Sequence, residues 1–200
     1  MDIPKLQLSA GQALWVINQG RTPGPQLRNE ARYLRRLGIP HDEDQVSQGR
    51  GHRLLYTYED IVELGVALFA LRRGMKPKDV AEAIKQDRAS YRQIYREALA
   101  DKPPAALAEE WVRSRGKIRP VFANDLHMRL HARMRDTPSR YEIVVPDINS
   151  LFDELFDVRE VHTDGADFFL VPLTRLAIEY LAWALEAPVI KPGRTARVSD

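Results

Sequence analysis

The chain has 200 residues, 44% of them hydrophobic, with no cysteine and a formal net charge of +2 at pH 7. That length admits one large domain or two small ones, and the apolar share is ordinary for a chain that buries a core. Lack of cysteine excludes disulfides, thiolate metal sites and thiol redox sensing. No apolar run reaches the ~20 residues that cross a bilayer. "MDIPKLQLSAGQ" has neither the charged nor the apolar region of a signal peptide, so the expected location is the cytoplasm, with no membrane partner.

Charge is unevenly spread. Residues 1–100 carry 16 basic and 12 acidic side chains, hence +4, and residues 101–200 carry 14 and 16, hence −2. Within the second half, basic "RSRGKIRPVFANDLHMRLHARMRDTPSR" is followed by acidic "EIVVPDINSLFDELFDVREVHTDGADFF". Arginine outnumbers lysine, which favours bidentate pairing with phosphates, carboxylates or guanine edges. An arginine-rich genome would produce the same bias.

In chain order, Leu8, Leu14, Val16 and Ile17 predict a short helix from about Ser9, its N-cap, to Asn18, with Gly20 as its stop. "RTPGPQ" is turn material. A second helix runs from Pro25, a favoured first-turn residue, to Leu37. Its apolar positions Leu27, Ala31, Leu34 and Leu37 share one face, and Arg28, Arg32, Arg35 and Arg36 fall largely away from it. Gly38 ends it. Residues 41–55 lack a helical period: Gly49 and Gly51 bracket Arg50, and "HRLLY" can extend, so a hairpin or wing is expected. "TYEDIVELGVALFALRRG" opens with a Thr57/Asp60 capping pattern, carries a stripe of Ile61, Leu64, Leu68 and Leu71, and stops at Gly74. "KPKDVAEAIKQ" is a further short helix with Pro77 in its first turn. "RASYRQIYREALA" continues the helical region with Tyr91, Ile94, Tyr95 and Ala98 on one side.

"DKPPAAL" breaks the chain and is the expected domain boundary. "LAEEWVRS" and "RPVFANDLHMRLHARMR" read as helical. "RYEIVVP" reads as a strand and "DINSLFDELF" as a helix with Ile148, Leu151, Phe152 and Leu155 on one face. "VREVH", "TDGAD" and "FFLVPL" form a strand, turn, strand unit. "LTRLAIEYLAWALEA" is an amphipathic helix with Leu176, Tyr180, Leu181, Ala184 and Leu185 inward. No internal repeat occurs. The expected organisation is a largely helical domain with a trailing helix over 1–100, an α+β module over 105–186 and a flexible tail over 187–200.

With these pieces in place, the chain resembles the MerR-type winged helix-turn-helix family over residues 6–86. The family's second helix ends in a pattern like L-R-Y-Y-E-R-x-G-L, and "ARYLRRLGI" follows it through Arg32, Tyr33, Arg36, Gly38 and Ile39. Its wing carries R-x-x-G-Y-R-x-Y and then an Asp opening the next helix, where "RGHRLLY" and Asp60 stand here. "ALRRGMKPKDVAEAI" matches the family's helix ending in L-R-x-x-G and the short helix after it. His52 stands where the family has tyrosine, one extra residue precedes Tyr56, and the acidic "HDED" at 41–44 is unusual beside a phosphate backbone. The family's metal-sensing cysteines and its long dimerisation helix have no counterpart. The resemblance therefore implies a fold that is mostly α with a small α+β part, a winged helix-turn-helix followed by a smaller α/β module. It implies double-stranded DNA binding, and neither metal sensing nor the family's usual dimer.

On that reading the helix from Pro25 enters the major groove, with Gln26, Arg28 and Asn29 reading bases, since Arg suits guanine and Asn or Gln suits adenine. Arg32, Tyr33 and Arg36 grip phosphates, and Arg50, His52 and Arg53 of the wing grip the flanking backbone or minor groove. The function expected is sequence-specific transcriptional regulation. Alternatives are an architectural accessory factor of a plasmid or phage, and a non-enzymatic interaction module. A solvated basic helix face is the plainest competing reading.

His127 and His131, spaced i, i+4, could chelate a metal on a helix, but a zinc site needs a third ligand, and Arg129, Arg133 and Arg135 would repel a cation. No metal is expected. Asp153, Glu154, Asp157 and Glu160 read as a solvated helix edge. No Walker loop, nucleophile elbow, dinucleotide fingerprint or zinc-protease motif occurs, so neither an enzyme nor a cofactor is expected. The 105–186 module is expected to serve as a dimerisation or signal-receiving unit, with a homodimer as the expected assembly, and no pocket signature identifies an effector. Tyr180 and Trp183 belong to types enriched at interfaces; the equal alternative is that their helix covers its own sheet.

Overall fold

A computed structural model describes residues 5–42, 54–99, 127–131, 140–144 and 168–188. Among them the chain is mostly helical, with one antiparallel sheet. In order the elements are α1 (Ala10–Ile17), α2 (Pro25–Arg36), α3 (Tyr58–Arg72), α4 (Pro77–Gln86), α5 (Arg88–Glu97), β1 (His127–His131), β2 (Arg140–Val144), β3 (Phe168–Pro172) and α6 (Leu173–Leu185). The wing residues 43–53, the break at 101–107, the helices expected in "LAEEWVRS" and "DINSLFDELF", the strand "VREVH", the turn "TDGAD" and the tail beyond Pro188 lie outside the described residues.

The helix ends follow local chemistry. Ser9 caps α1: its hydroxyl accepts from the Gln12 amide at 3.4 Å, and the Gln12 side chain accepts from the Ser9 amide at 2.9 Å. Thr57 caps α3 in the same reciprocal way with Asp60, whose carboxylate accepts from the Thr57 amide at 2.9 Å. Two orphan N–H groups are satisfied at each start. Pro25 and Pro77 open α2 and α4, where their missing N–H costs nothing. Gly38, at φ +81°, closes α2 in the left-handed conformation that a side chain resists.

The central helix, α3, packs on α1, α2, α4, α5, α6 and β3. A stripe of Ile61, Leu64, Leu68 and Leu71 understates its role. Val62, Glu63, Gly65, Val66 and Ala67 are buried as well, because a helix covered on every side has no solvent face to keep polar.

The sheet has strand order β2-β1-β3 and is antiparallel throughout. Met128 pairs with Ile143 on one side and Val171 on the other, and Leu130 with Tyr141 and Phe169. This corrects the helix expected across residues 119–135, of which 127–131 form a strand. "HMRLH" alternates polar and apolar at a period of two, the pattern of a half-buried strand. Its five residues are too few to separate that period from a helical one without their partners. The correction disposes of the histidine pair: residues four apart on a strand stand about 13 Å apart along the backbone, too far to share one ion. Among the described residues no group of three or more His, Asp or Glu is placed to hold a metal.

The last helix, α6, docks onto α1 and α3, so residues from Leu8 to Ala184 share one hydrophobic core. A Cβ on Gly65 of α3 would lie 2.2 Å from the Tyr180 ring, and one on Gly20 would lie 2.4 Å from the Trp183 ring. Trp183 also meets Trp15 of α1 edge to face, with centroids 5.5 Å apart. Tyr180 and Trp183 thus anchor α6 within the chain. No helix among the described residues is long and apolar enough to cross a membrane.

Candidate functional site

The exposed polar surface of α2 is built on a fixed frame. Between α1 and α2 the chain turns over Asn18–Gly24, and the Asn18 side-chain amide donates to the carbonyls of Arg21 (3.1 Å) and Thr22 (3.2 Å). Leu27, Ala31 and Leu34 bury one face of α2. On the opposite face Gln26, Asn29, Tyr33 and Arg36 are exposed, Tyr33 at 41% despite its ring. The Gln26 amide donates to Glu30 at 2.8 Å.

Three arginines, Arg28, Arg32 and Arg35, recur at i, i+4 and i+7 and therefore share a flank of α2. They line a cleft of about 410 Å³ between α1 and α2, with Leu14, Trp15 and Leu64 among its apolar wall. At its inner end the Tyr56 phenol is hydrogen-bonded by Arg35; burial holds that phenol above its ordinary pKa, against the pull of the guanidinium.

The back of α2 is held by a buried ion network that sequence reasoning missed. Glu63 of α3, fully buried, meets Arg88 (2.9 Å) and Arg92 (3.2 Å) of α5. Arg92 also reaches Asp60 at 2.7 Å and the Pro40 carbonyl at 2.9 Å. Arg88 in addition contacts Asp42 and the Gly38 carbonyl. The acidic start of "HDED" thus has a partner inside the protein: Asp42 pairs with Arg88. His41 is buried too, its Nε2 lying 3.2 Å from the Leu55 carbonyl and 3.7 Å from Asp60. Residues 41 and 55 are thereby tied together, and Tyr56 pairs with Leu8. The available signal was the spacing of Arg88, Arg92 and Arg96, one helical face opposite Glu59, Asp60 and Glu63.

Burial pushes the Glu63 carboxyl up to about 7 from its ordinary 4.5, against the attraction of Arg88 and Arg92. A carboxyl whose folded pKa lies above its unfolded value binds more protons when folded between the two. Its contribution to stability is full below pH 4.5 and is lost as pH rises to about 7. Denaturant titrations at several pH values should show wild-type stability falling across that window relative to Glu63→Gln, which keeps the shape and cannot ionise. Parallel curves for the two proteins would refute it.

Six of the nine residues expected to contact DNA, namely Gln26, Arg28, Asn29, Arg32, Tyr33 and Arg36, are exposed on this one helix. Arg28 and Arg32 stand on its cleft side, separate from the outward row of Asn29, Tyr33 and Arg36. Arg50, His52 and Arg53 lie outside the described residues. Comparison of the chain with protein-family models, curated proteins and solved structures finds no match.

Proposed function

We propose that this chain is a sequence-specific binder of double-stranded DNA that regulates transcription, with α2 as its recognition helix. The observation that carries the reading is the coincidence, on one rigidly backed helix, of an exposed row of Asn29, Tyr33 and Arg36 with a basic flank of Arg28 and Arg32. An α-helix fits the major groove, where amide and guanidinium side chains distinguish bases and further arginines neutralise phosphates. The resemblance of residues 6–86 to MerR-type winged helices supports the same assignment, with Arg50, His52 and Arg53 reaching the flanking backbone. The reading is non-enzymatic and needs no cofactor. Two copies, acting as a homodimer in the cytoplasm, would read paired half-sites.

Fluorescence anisotropy against genomic fragments and random duplex tests it. Binding no tighter than to random duplex at ~0.15 M salt, where nonspecific Kd is roughly 10⁻⁴–10⁻⁶ M, would defeat the proposal. Arg36→Ala should weaken binding to every sequence and reduce the salt slope by about one. Arg28→Ala should instead cost about 1–3 kcal/mol on the preferred site, with little loss on random DNA. Equal losses on both would remove Arg28 from the groove.

A further inference from the structure

We propose that the cleft between α1 and α2 is a binding site for a small molecule with a flat aromatic body and one anionic group, a carboxylate, sulfonate or phosphate. The cleft's size of about 410 Å³ falls in the usual range of small-molecule sites. Its two sides differ in chemistry. Leu14, Trp15 and Leu64 supply an apolar surface, while Arg28, Arg32 and Arg35 supply a row of guanidinium groups. No acidic residue among the described ones lines it.

By contrast, several other arginines among the described residues are paired. Arg88, Arg92, Arg96 and Arg175 each meet a carboxylate. Among the described residues Arg28 and Arg32 meet none within ion-pair distance, and both are exposed. Arg35 is directed to the Tyr56 phenol. Two neighbouring guanidinium groups beside a low-dielectric wall form a strong receptor for a planar anion, since their N–H forks match its oxygens.

The aromatic wall is pre-formed. Trp15 is fixed from behind by Trp183 at 5.5 Å, with the rings at 87° to each other. Its indole therefore need not be ordered when a ring packs against it, and preorganisation of this kind lowers the entropic cost of binding. Gly11, on the exposed first turn of α1, also lines the cleft.

Arg28 and Arg32 are also among the residues proposed to contact DNA, so an anion in the cleft competes with DNA for them. This consequence rests on the DNA reading; the site itself does not.

Isothermal titration calorimetry of the full chain with naphthalene-2-sulfonate, against the uncharged naphthalene-2-methanol, tests the site. The sulfonate should bind at least about tenfold more tightly than the alcohol. The double variant Arg28→Gln/Arg32→Gln should lose at least about tenfold in sulfonate affinity. Gly11→Phe fills the cleft while keeping both arginines, and should abolish binding. Thermal melts confirm that both variants fold, as expected for exposed positions. Absence of heat at millimolar sulfonate, equal affinity for the alcohol, or undiminished binding by either variant overturns the proposal. In a separate arm, sulfonate should displace labelled duplex from the wild type and not from Gly11→Phe. A chain that binds sulfonate but no DNA refutes the DNA reading alone; one that binds DNA but no sulfonate refutes the cleft alone.

Discussion

Replacing Arg92 with alanine should lower the folding stability of this protein by about 3–5 kcal/mol, the usual cost of breaking a buried ion pair by removing one partner. Arg92 spans two acids of α3, Asp60 at 2.7 Å and Glu63 at 3.2 Å, and also holds the Pro40 carbonyl just beyond α2. Its removal leaves Asp60, with a side chain 7% exposed, short of positive charge, and takes from Glu63, 0% exposed, one of the two guanidinium groups that favour its ionised form. Arg88 still reaches Glu63 at 2.9 Å, which puts the loss toward the lower end. Urea denaturation reads the change directly. Arg92→Leu combined with Glu63→Leu should recover much of it, because an apolar pair of similar volume avoids desolvating two charges. A loss below about 1 kcal/mol, the level of an exposed ion pair, would show that apolar packing alone holds α5 to α3. The effect should extend to α2, since Arg88 and Arg92 bind backbone carbonyls at its C-terminal side.

The second large effect lies at the other side of α3. Tyr180→Ala should destabilise by about 3–5 kcal/mol, the range for removing a buried aromatic. Tyr180 is 7% exposed and packs directly on the backbone of α3 at Gly65. For a chain of this length such a loss corresponds to a fall in melting temperature of roughly 6–20 °C. Gly65→Val tests the same contact from the opposite side: its Cβ would overlap the Tyr180 ring, costing about 1–3 kcal/mol. If both variants melt with the wild type, α6 does not dock as described. A Tyr180→Ala chain whose residues 1–100 remain protected from hydrogen exchange while α6 becomes labile would show that α6 is a separable layer on the helical core.

The first link from sequence to structure is short-range, and it was legible. The starts of α1 and α3 follow from Ser9 with Gln12 and from Thr57 with Asp60, residues three apart whose hydrogen bonds need no other part of the chain. Pro25, Pro77 and Gly38 act through their own backbone dihedrals, so they mark helix ends wherever they fall. The burial of Leu27, Ala31 and Leu34 on α2, and hence the exposure of Asn29, Tyr33 and Arg36 opposite, follows from helical spacing alone. The polar face of α2 was therefore determined by the sequence itself.

What only the tertiary structure decided involves partners far apart in the chain. Glu63 and Arg92 are 29 residues apart, and the i, i+4 spacing that Arg92 shares with Arg88 and Arg96 also relates the exposed Arg28, Arg32 and Arg36 of α2. Charge alone cannot say which arginine meets a carboxylate, because that depends on which helix faces lie together. The same holds for Arg28, Arg32 and Arg35, which became a cleft wall once α1 placed Trp15 against them. "HMRLH" took the extended form because two other strands satisfy its backbone on both sides, a stabilisation absent from its own five residues. Tyr180 and Trp183 became internal anchors because Gly65 and Gly20 leave room for their rings. Backbone capping is fixed within a turn of helix, whereas charge pairing, strand identity and aromatic docking are properties of surfaces that exist only after the chain has folded.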